Sequence, residues 1–522
     1  MSPVNGVAPS PNDALPPLIR GLLLAAAFPH PTPAPRLIET HISWVILAGD
    51  YAYKLKKPVN LGFLDFSRLD ARQFYCQEEI RLNRRLEPDT YLGVVPVTGS
   101  EAAPRLGGEG PVLEWAVHMR AFAAEATLDR EADVTRSQVT AIAARLAAFH
   151  AAVDRAPNDS HYGEPELVLA RCLANFEQLD AGLPADAAER SHLDDLRTWT
   201  HAEWERLRPT LAARRRQGFV RECHGDLHLG NIAWVDDAPL IFDAIEFSPD
   251  LRYIDTASEC AFLMMDLSHR GRSDLAWRFY NEYLEPGGDY AGLSVLRFYL
   301  VYRALVRAKV SAIRASQTGD DLTETASFIQ LARHFKRPPA PGLVLMHGVS
   351  GSGKTRLAGG LMERLCAVRL RADVERKRLF GLAALEPSTH IAGGIYTREA
   401  GEKTRNRLLG LTSRLLDDGF VVIVDATFIR RDWRAPFESL GMPWCLVSPE
   451  ADTPTLRTRL RNRNKSGSDA SEADESVLDA QLAHNQPLTA EEATRRIRVT
   501  DATELVTLAT TVCESLSLDR SC

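Results

Sequence analysis

The sequence predicts two domains: an α+β domain with a small sheet-containing lobe and a mainly helical lobe, then an α/β domain on a parallel sheet. Three observations carry this expectation. The chain has 522 residues, and at about 100–200 residues per domain that length needs more than one core. Lys336-Arg337-Pro338-Pro339-Ala340-Pro341 is proline-dense; such a run cannot join a helix or a central strand and makes a stiff connector. Patterning also changes across it, from strands followed by long helical runs to alternating strands and helices. The expected layout is residues 1–337, a linker at 338–341, and residues 342–522.

Taken in order, the first dozen or so residues are rich in Pro, Asn, Ser and Gly and read as a loose tail. His41–Leu47 and Tyr51–Leu55 read as strands around the turn Ala48-Gly49-Asp50. Glu78–Leu86 reads as a helix, and Gly93–Val97 and Val112–Met119 as further strands. Ala/Leu spacing from Ser137 to Asp154 is helical, as is much of 165–215 and 272–335. After Pro341, Leu343–Met346 is a short apolar run of the kind that forms a buried parallel strand.

Hydrophobic residues make up 45% and charged residues 25%, the globular average, which excludes wholesale disorder and collagen-like or coiled-coil chains. No uncharged apolar run approaches the roughly 20 residues of a membrane span. Gly21–Phe28 lacks a basic leader, so neither signal peptide nor anchor is expected. Eight scattered cysteines without a CxxC pair suit a reduced, cytoplasmic protein and argue against a zinc site. From Gly342 onward 25 Lys and Arg face 24 Asp and Glu, a net of +1, which leaves −8 for the first part. Neither part has the basic balance of a dedicated nucleic-acid binder.

Gly348-Val349-Ser350-Gly351-Ser352-Gly353-Lys354-Thr355 fits the phosphate-loop pattern G-x-x-x-x-G-K-[ST], with an apolar strand before it and a helical run after it. Gly348, Gly351 and Gly353 let the backbone close around phosphate oxygens, so that the N–H groups of the loop, Ser350 and Ser352 included, point inward. Lys354 neutralises the β/γ-phosphates and Thr355 offers a hydroxyl to Mg²⁺. Phe420–Asp425 reads as a buried strand ending in Asp425, a carboxylate suited to organising Mg²⁺ or substrate. Asp373 ends another apolar strand, and a carboxylate there lies on the ligand side of such a sheet. It can accept a proton from an attacking hydroxyl while Arg376, one turn on, holds an anionic part of the acceptor. Arg457–Lys465 is dense in Arg and runs into Ser466-Gly467-Ser468-Asp469-Ala470; it suits either a lid over transferring phosphate or a solvated helix face.

These residues resemble the small P-loop kinases grouped with zeta toxins, gluconate kinase and the 5′-kinase of polynucleotide kinase. The likeness covers 342–490 and rests on the GxxGSGKT loop, D-x-x-R at Asp373/Arg376, V-V-I-V-D-A-T at 421–427 and the Arg-rich run. It implies a P-loop fold with a lid, Asp373 as base, and Arg459 and Arg463 as lid arginines. Acceptors differ among these relatives, so acceptor identity does not transfer.

His224-Gly225-Asp226-Leu227-His228-Leu229-Gly230-Asn231, followed by Asp243 after the apolar Leu240-Ile241-Phe242, is the second strong signal. Phosphoryl transfer needs one carboxylate facing the acceptor hydroxyl, and an amide with a second carboxylate holding Mg²⁺. Asp226 fits the first role, Asn231 and Asp243 the second. This block resembles the aminoglycoside phosphotransferase and choline-kinase group, which shares the bilobal protein-kinase plan. The resemblance implies a strand lysine for the α/β-phosphates and a glutamate that fixes it. Lys54 is favoured over Lys56, and Glu79 over Glu78. Glu246 either sits beside metal or substrate or pairs with Arg252. His150 reads as a packing residue.

The whole arrangement resembles bacterial fusions of an aminoglycoside-phosphotransferase-like domain with a P-loop kinase domain. The expectation is an ATP-dependent phosphotransferase with two nucleotide sites, Mg²⁺ as cofactor, and a hydroxyl on a small molecule as acceptor. GTP as donor stays open. One alternative makes the P-loop part a nucleotide-driven switch gating the first kinase. Another makes it a 5′-hydroxyl polynucleotide or nucleoside kinase; its +1 net charge argues against tight binding of long nucleic acid, not of a short 5′ end.

Overall fold

Alternation along one strand sets up the first sheet. The computed structural model describes residues 15–60, 62, 64–184, 187–337, 340–391, 394–466 and 469–518. The expected N-terminal tail, Pro338 and Pro339 of the linker, and Gly467 and Ser468 lie outside the described residues. Strands β1 (Arg36–Glu39), β2 (Ser43–Ala48), β3 (Tyr51–Lys56), β4 (Tyr91–Ser100), β5 (Ala103–Leu106) and β6 (Glu114–Arg120) form an antiparallel sheet in the order β1-β2-β3-β6-β4-β5. Tyr53 and Leu55 of β3 join Phe28, Ile46 and Val97 in an apolar cluster that α1 (Pro17–Leu22) closes with Ile19 and Leu22. The two-residue period therefore puts Lys54 and Lys56 on the other face.

That face is covered by α2 (Leu69–Asn83), whose Cys76 and Ile80 pack with Tyr91 and Val117. The helix begins well before Glu78, where the sequence suggested it starts, and stops short of Leu86. The reason is chemical: its buried stripe includes Arg72, Cys76, Glu79 and Asn83, so the early turns carry little apolar periodicity to read. Arg72 lies buried against Glu114, 2.8 Å away.

By packing, residues up to 134, 152–162 and 218–255 form one compact unit, and 135–151, 163–217 and 256 onward form a second. The first unit also holds β7 (Val220–Glu222), the hairpin β8 (Ile232–Val235) and β9 (Ala238–Ile241), the short α6 (Pro249–Arg252) and β10 (Tyr253–Asp255), which pairs with β7.

The second unit has a helical part and a parallel sheet. Its helices are α3 (Arg136–Ala152), α4 (Pro165–Gly182), α5 (Glu189–Arg216), α7 (Thr256–His269), α8 (Ser273–Gly287), α9 (Leu293–Thr318) and α10 (Thr323–Lys336). The expected packing histidine, His150, is buried on α3 and bonds Tyr283 Oη and Glu259 Oε2, each at 2.8 Å. The sheet comprises β11 (Gly342–Met346), β12 (Val368–Arg371), β13 (Val421–Asp425), β14 (Trp444–Pro449) and β15 (Arg496–Val499). Its order is β12-β13-β11-β14-β15, with every pair parallel. All residues of β11 and β13 are buried, as the continuous apolar runs require. Around it lie α11 (Lys354–Arg364), α12 (Ala372–Leu379), α13 (Arg398–Asp417), α14 (Arg431–Glu438), α15 (Thr453–Ser466), α16 (Glu475–Ala483), α17 (Ala490–Thr494) and α18 (Leu505–Leu516). Chain order reverses at β11, and such a switch point opens a crevice at the strands' C-terminal ends. No described helix is long and apolar enough to cross a membrane.

Candidate active sites

In the first unit five charged side chains converge on β3. Lys54 Nζ lies 2.9 Å from Glu79 Oε1 and also pairs with Asp243. Lys56 Nζ lies 2.7 Å from Glu79 Oε2 and pairs with Glu246. The sequence favoured Lys54 as the lysine held by Glu79; in the structure Glu79 bridges both. Glu78 instead pairs with Arg81 and Arg252. Burial alone would push the Glu79 carboxyl up, but the two ammonium groups outweigh it and hold it down at about 2. Burial also dominates at Glu246, and its carboxyl is raised. The pairing of Glu246 with Arg252 does not form between side chains: Arg252 turns to Glu222, 3.0 Å away, and gives Glu246 only a bond to its carbonyl, also at 3.0 Å. Lys56 is the nearer buried cation and takes the carboxylate.

The loop carrying Asp226 is tied down by its own histidines. His224 Nε2 bonds Phe242 O at 2.8 Å, and the N–H of Gly230 donates to His228 Nδ1 at 3.1 Å. Gly225 has φ +92°, and a Cβ there would sit 2.9 Å from Leu251 O, so only glycine fits. Asn231 Nδ2 donates to Asp226 O at 2.9 Å and to Asp226 Oδ2 at 3.2 Å. The β8–β9 hairpin pairs Ile232 with Ile241 and thereby brings Asn231 beside Phe242, whose N–H donates to Asn231 O at 3.0 Å. Asp243 follows in the left-handed region at φ +65°, a conformation that costs energy and clusters at functional sites. Two residues with no sequence motif hold it there. Tyr91 Oη accepts from Asp243 N at 3.1 Å, and Asn83 Oδ1 accepts from Ala244 N at 2.9 Å. The side chains of Asp226 and Asp243 keep 38% and 43% exposure, so both remain open to a ligand. Asn231 and Asp243 offer the oxygen donors a hard divalent cation prefers.

In the second unit the loop after β11 supplies the other site. Gly348, Gly351 and Gly353 have φ of +138°, +84° and +99°, and a Cβ at Gly351 would meet Leu456 O at 2.9 Å. The glycines thus make a cradle that side chains would fill, at the N-terminus of α11. Lys354 folds across it, donating to Val349 O at 2.8 Å and lying 3.5 Å from Ser352 Oγ. Burial pulls its pKa down to about 8, against the opposing charges of Asp425 and Asp373. Thr355 hydrogen-bonds Asp425, whose carboxyl burial raises. Ser350 and Ser352 are buried, and the Ser350 N–H donates to Gln481 Oε1 at 2.7 Å, a partner with no sequence signal.

Asp373 corrects the sequence reading. It does not end a strand: β12 stops at Arg371, and Asp373 is the second residue of α12. Strand passes to helix with Arg371 alone as the cap, so the apolar run offered no visible break. Arg376 lies one turn on and pairs with Asp373 at 2.8 Å, its guanidinium 4.8 Å from the Tyr396 ring centroid. Arg459 reaches Ser352 O at 3.5 Å and Asp501 at 3.0 Å. Arg463 donates to Ala473 O at 2.8 Å. The structure brings Gly348, Lys354, Thr355, Asp425 and Arg459 together around one loop.

The two folds and these residue sets define the chain as a kinase-type phosphotransferase with two nucleotide-binding domains. The Phosphotransferase enzyme family model matches residues 68–299, and an AAA domain model matches 343–488. The chain belongs to the same family as the Mycobacterium tuberculosis protein Rv2004c, to which it is 33% identical over 402 residues, covering 75% of this chain and 78% of the relative. Among solved structures it is similar to the amicoumacin kinase hAmiN (13% identity, TM-score 0.39, 58% of this chain and 87% of that one). It is also similar to a gluconokinase from Sinorhizobium meliloti (19%, 0.25, 34% and 92%).

Proposed function

We propose that the protein is a two-site kinase that transfers the γ-phosphate of ATP to hydroxyl groups of small molecules. The observation that carries this reading is a carboxylate beside each set of nucleotide-binding residues: Asp226, bonded to Asn231, and Asp373, close enough to Lys354 to act on its charge. A nucleotide switch needs no such group.

At the first site Lys54 binds the α/β-phosphates, and Glu79 keeps its ammonium in place after Lys54 leaves Asp243. Asn231 and Asp243 would hold Mg²⁺, which would supply positive charge against the phosphates. Asp226, steadied by Asn231, accepts the proton of the acceptor hydroxyl at Oδ2. Glu246 stays with Lys56 and fixes the segment after Asp243. At the second site the N–H groups of 348–353 surround the phosphates, Lys354 swings from Val349 O to the β/γ-phosphates, and Thr355 with Asp425 would hold Mg²⁺. Asp373 takes the acceptor proton, Arg376 orients the acceptor, and Arg459 and Arg463 stabilise the transferring phosphoryl group. The eight cysteines are scattered with no CxxC pair, which suits a cytoplasmic protein.

Equilibrium dialysis with labelled ADP and Mg²⁺ tests the reading. Two nucleotides should bind per chain, falling to one in Lys354→Ala and one in Asp243→Ala. A single nucleotide in the unmodified chain would refute it.

A further inference from the structure

Helix α8 lies within the segment that matches the phosphotransferase family, yet its C-terminal end is built into the P-loop sheet. Asn281 Nδ2 donates to Ala367 O at 2.9 Å, and Asn281 Oδ1 accepts from Arg369 N at 2.7 Å, so one side chain bonds the backbone on either side of Val368, where edge strand β12 begins. Glu285 then faces two arginines of that strand. Its Oε1 accepts from Arg371 Nη1 at 2.7 Å and its Oε2 from Arg369 Nη2 at 3.0 Å. The other end of the Arg371 fork, Nη2, donates to Asp469 Oδ1 at 2.6 Å. In the parallel register Arg371 stands opposite Asp425, and it is also the cap residue of α12, which carries Asp373 and Arg376. From α12, Arg378 Nη1 donates to Pro286 O at 3.0 Å, closing the last turn of α8. Tyr283 Oη of the same helix α8 hydrogen-bonds His150 Nδ1 at 2.8 Å.

We infer that Glu285 is a positioning residue of the P-loop site, contributed by the phosphotransferase segment and acting through Arg371 on the start of α12 and on Asp469. This rests on reading the P-loop site as a phosphotransfer site. Arg369 and Arg371 are largely buried and of like charge, so Glu285 is what allows both to sit on one strand. Without it the Arg371 fork loses one of its two anchors, and the helix bearing Asp373 loses its fixed starting point. Supporting groups of this kind commonly matter about tenfold or more.

The test uses the full-length chain with Asp243→Ala, which removes nucleotide from the first site, so that only the P-loop site binds ADP and turns over Mg²⁺-ATP against a small-molecule extract. Glu285→Gln should lower kcat about tenfold while the Kd for fluorescent ADP stays within about twofold, and Glu285→Asp should recover most of the loss. In an Arg371→Lys background Glu285→Gln should cost less than a further twofold, because the two residues act in series. Unchanged kcat in Glu285→Gln, or losses that multiply in the double variant, would overturn the inference and leave the P-loop reading intact. Turnover that survives Lys354→Ala would overturn that reading and the inference with it.

Discussion

Lys56 offers the sharpest test of how the first site is held together. It is fully buried and is shared by Glu79 and Glu246, whose side chains are 0% and 4% exposed. In Lys56→Met, Glu79 keeps Lys54 but Glu246 loses its ammonium partner. Breaking a buried pair from one side costs about 3–5 kcal/mol, whereas replacing both members by apolar groups costs far less. Lys56→Met should therefore destabilise this unit by about 3 kcal/mol, and Lys56→Met with Glu246→Leu by about 1. Amide exchange across α2 and β3 reads opening of this unit alone; about 3 kcal/mol corresponds to roughly hundredfold faster exchange. The pH sign follows from Glu246. Its carboxyl is already raised above the ordinary 4.5 by burial, and losing Lys56 raises it further. The folded form then keeps a proton that the unfolded chain has released, so stability falls as pH rises above 4.5. The deficit of Lys56→Met should be larger at pH 8 than at pH 5. An equal deficit at both, or a double variant as unstable as the single one, would refute the reasoning.

Other outcomes follow from the same geometry. Lys354, held down at about 8 by burial, should take up a proton when phosphates arrive, so affinity at this loop should fall as pH rises above 8, by up to about tenfold per unit; calorimetry in buffers of different ionisation enthalpy reads the uptake. Gly351→Ala puts a Cβ 2.9 Å from Leu456 O at φ +84°, a strain of about 1–3 kcal/mol, and should weaken nucleotide binding there about tenfold or more in fluorescence titrations. Asp226→Asn should cost about 10²–10⁴ in turnover at the first site with nucleotide affinity unchanged, as steady-state kinetics beside ADP titration would show.

Legibility in the sequence tracked the kind of interaction that builds each part. The buried strands β11 and β13 were plain because continuous apolar runs mark parallel strands. The glycine loop was plain because its φ values leave few alternatives. The start of α2 was hidden because the buried residues of its first two turns are Arg72 and Cys76 alone, too few apolar positions to show a helical period. Strands β1 and β5 are only four residues long, too short for a two-residue period to show, and the edge strand β15 lies far along the chain from its partner β14. Lys54 and Lys56 could not be ranked by alternation, since the same period puts both on one face. Asn83, Tyr91, Gln481 and Glu285 support the candidate sites through contacts distant in sequence, and no spacing rule reaches them.

The central claim is that one chain carries two acceptor-phosphorylating sites. Transfer of labelled γ-phosphate from Mg²⁺-ATP into a small-molecule extract, with products separated by mass, tests it most directly when run on the unmodified chain, Asp226→Ala, Lys354→Ala and the double variant. The account predicts that each single variant loses a different labelled product, or accumulates the other site's substrate, and that the double variant labels nothing. If Asp226→Ala alone removes every product while Lys354→Ala merely changes its rate, the P-loop domain is a regulator and the claim of two sites is wrong.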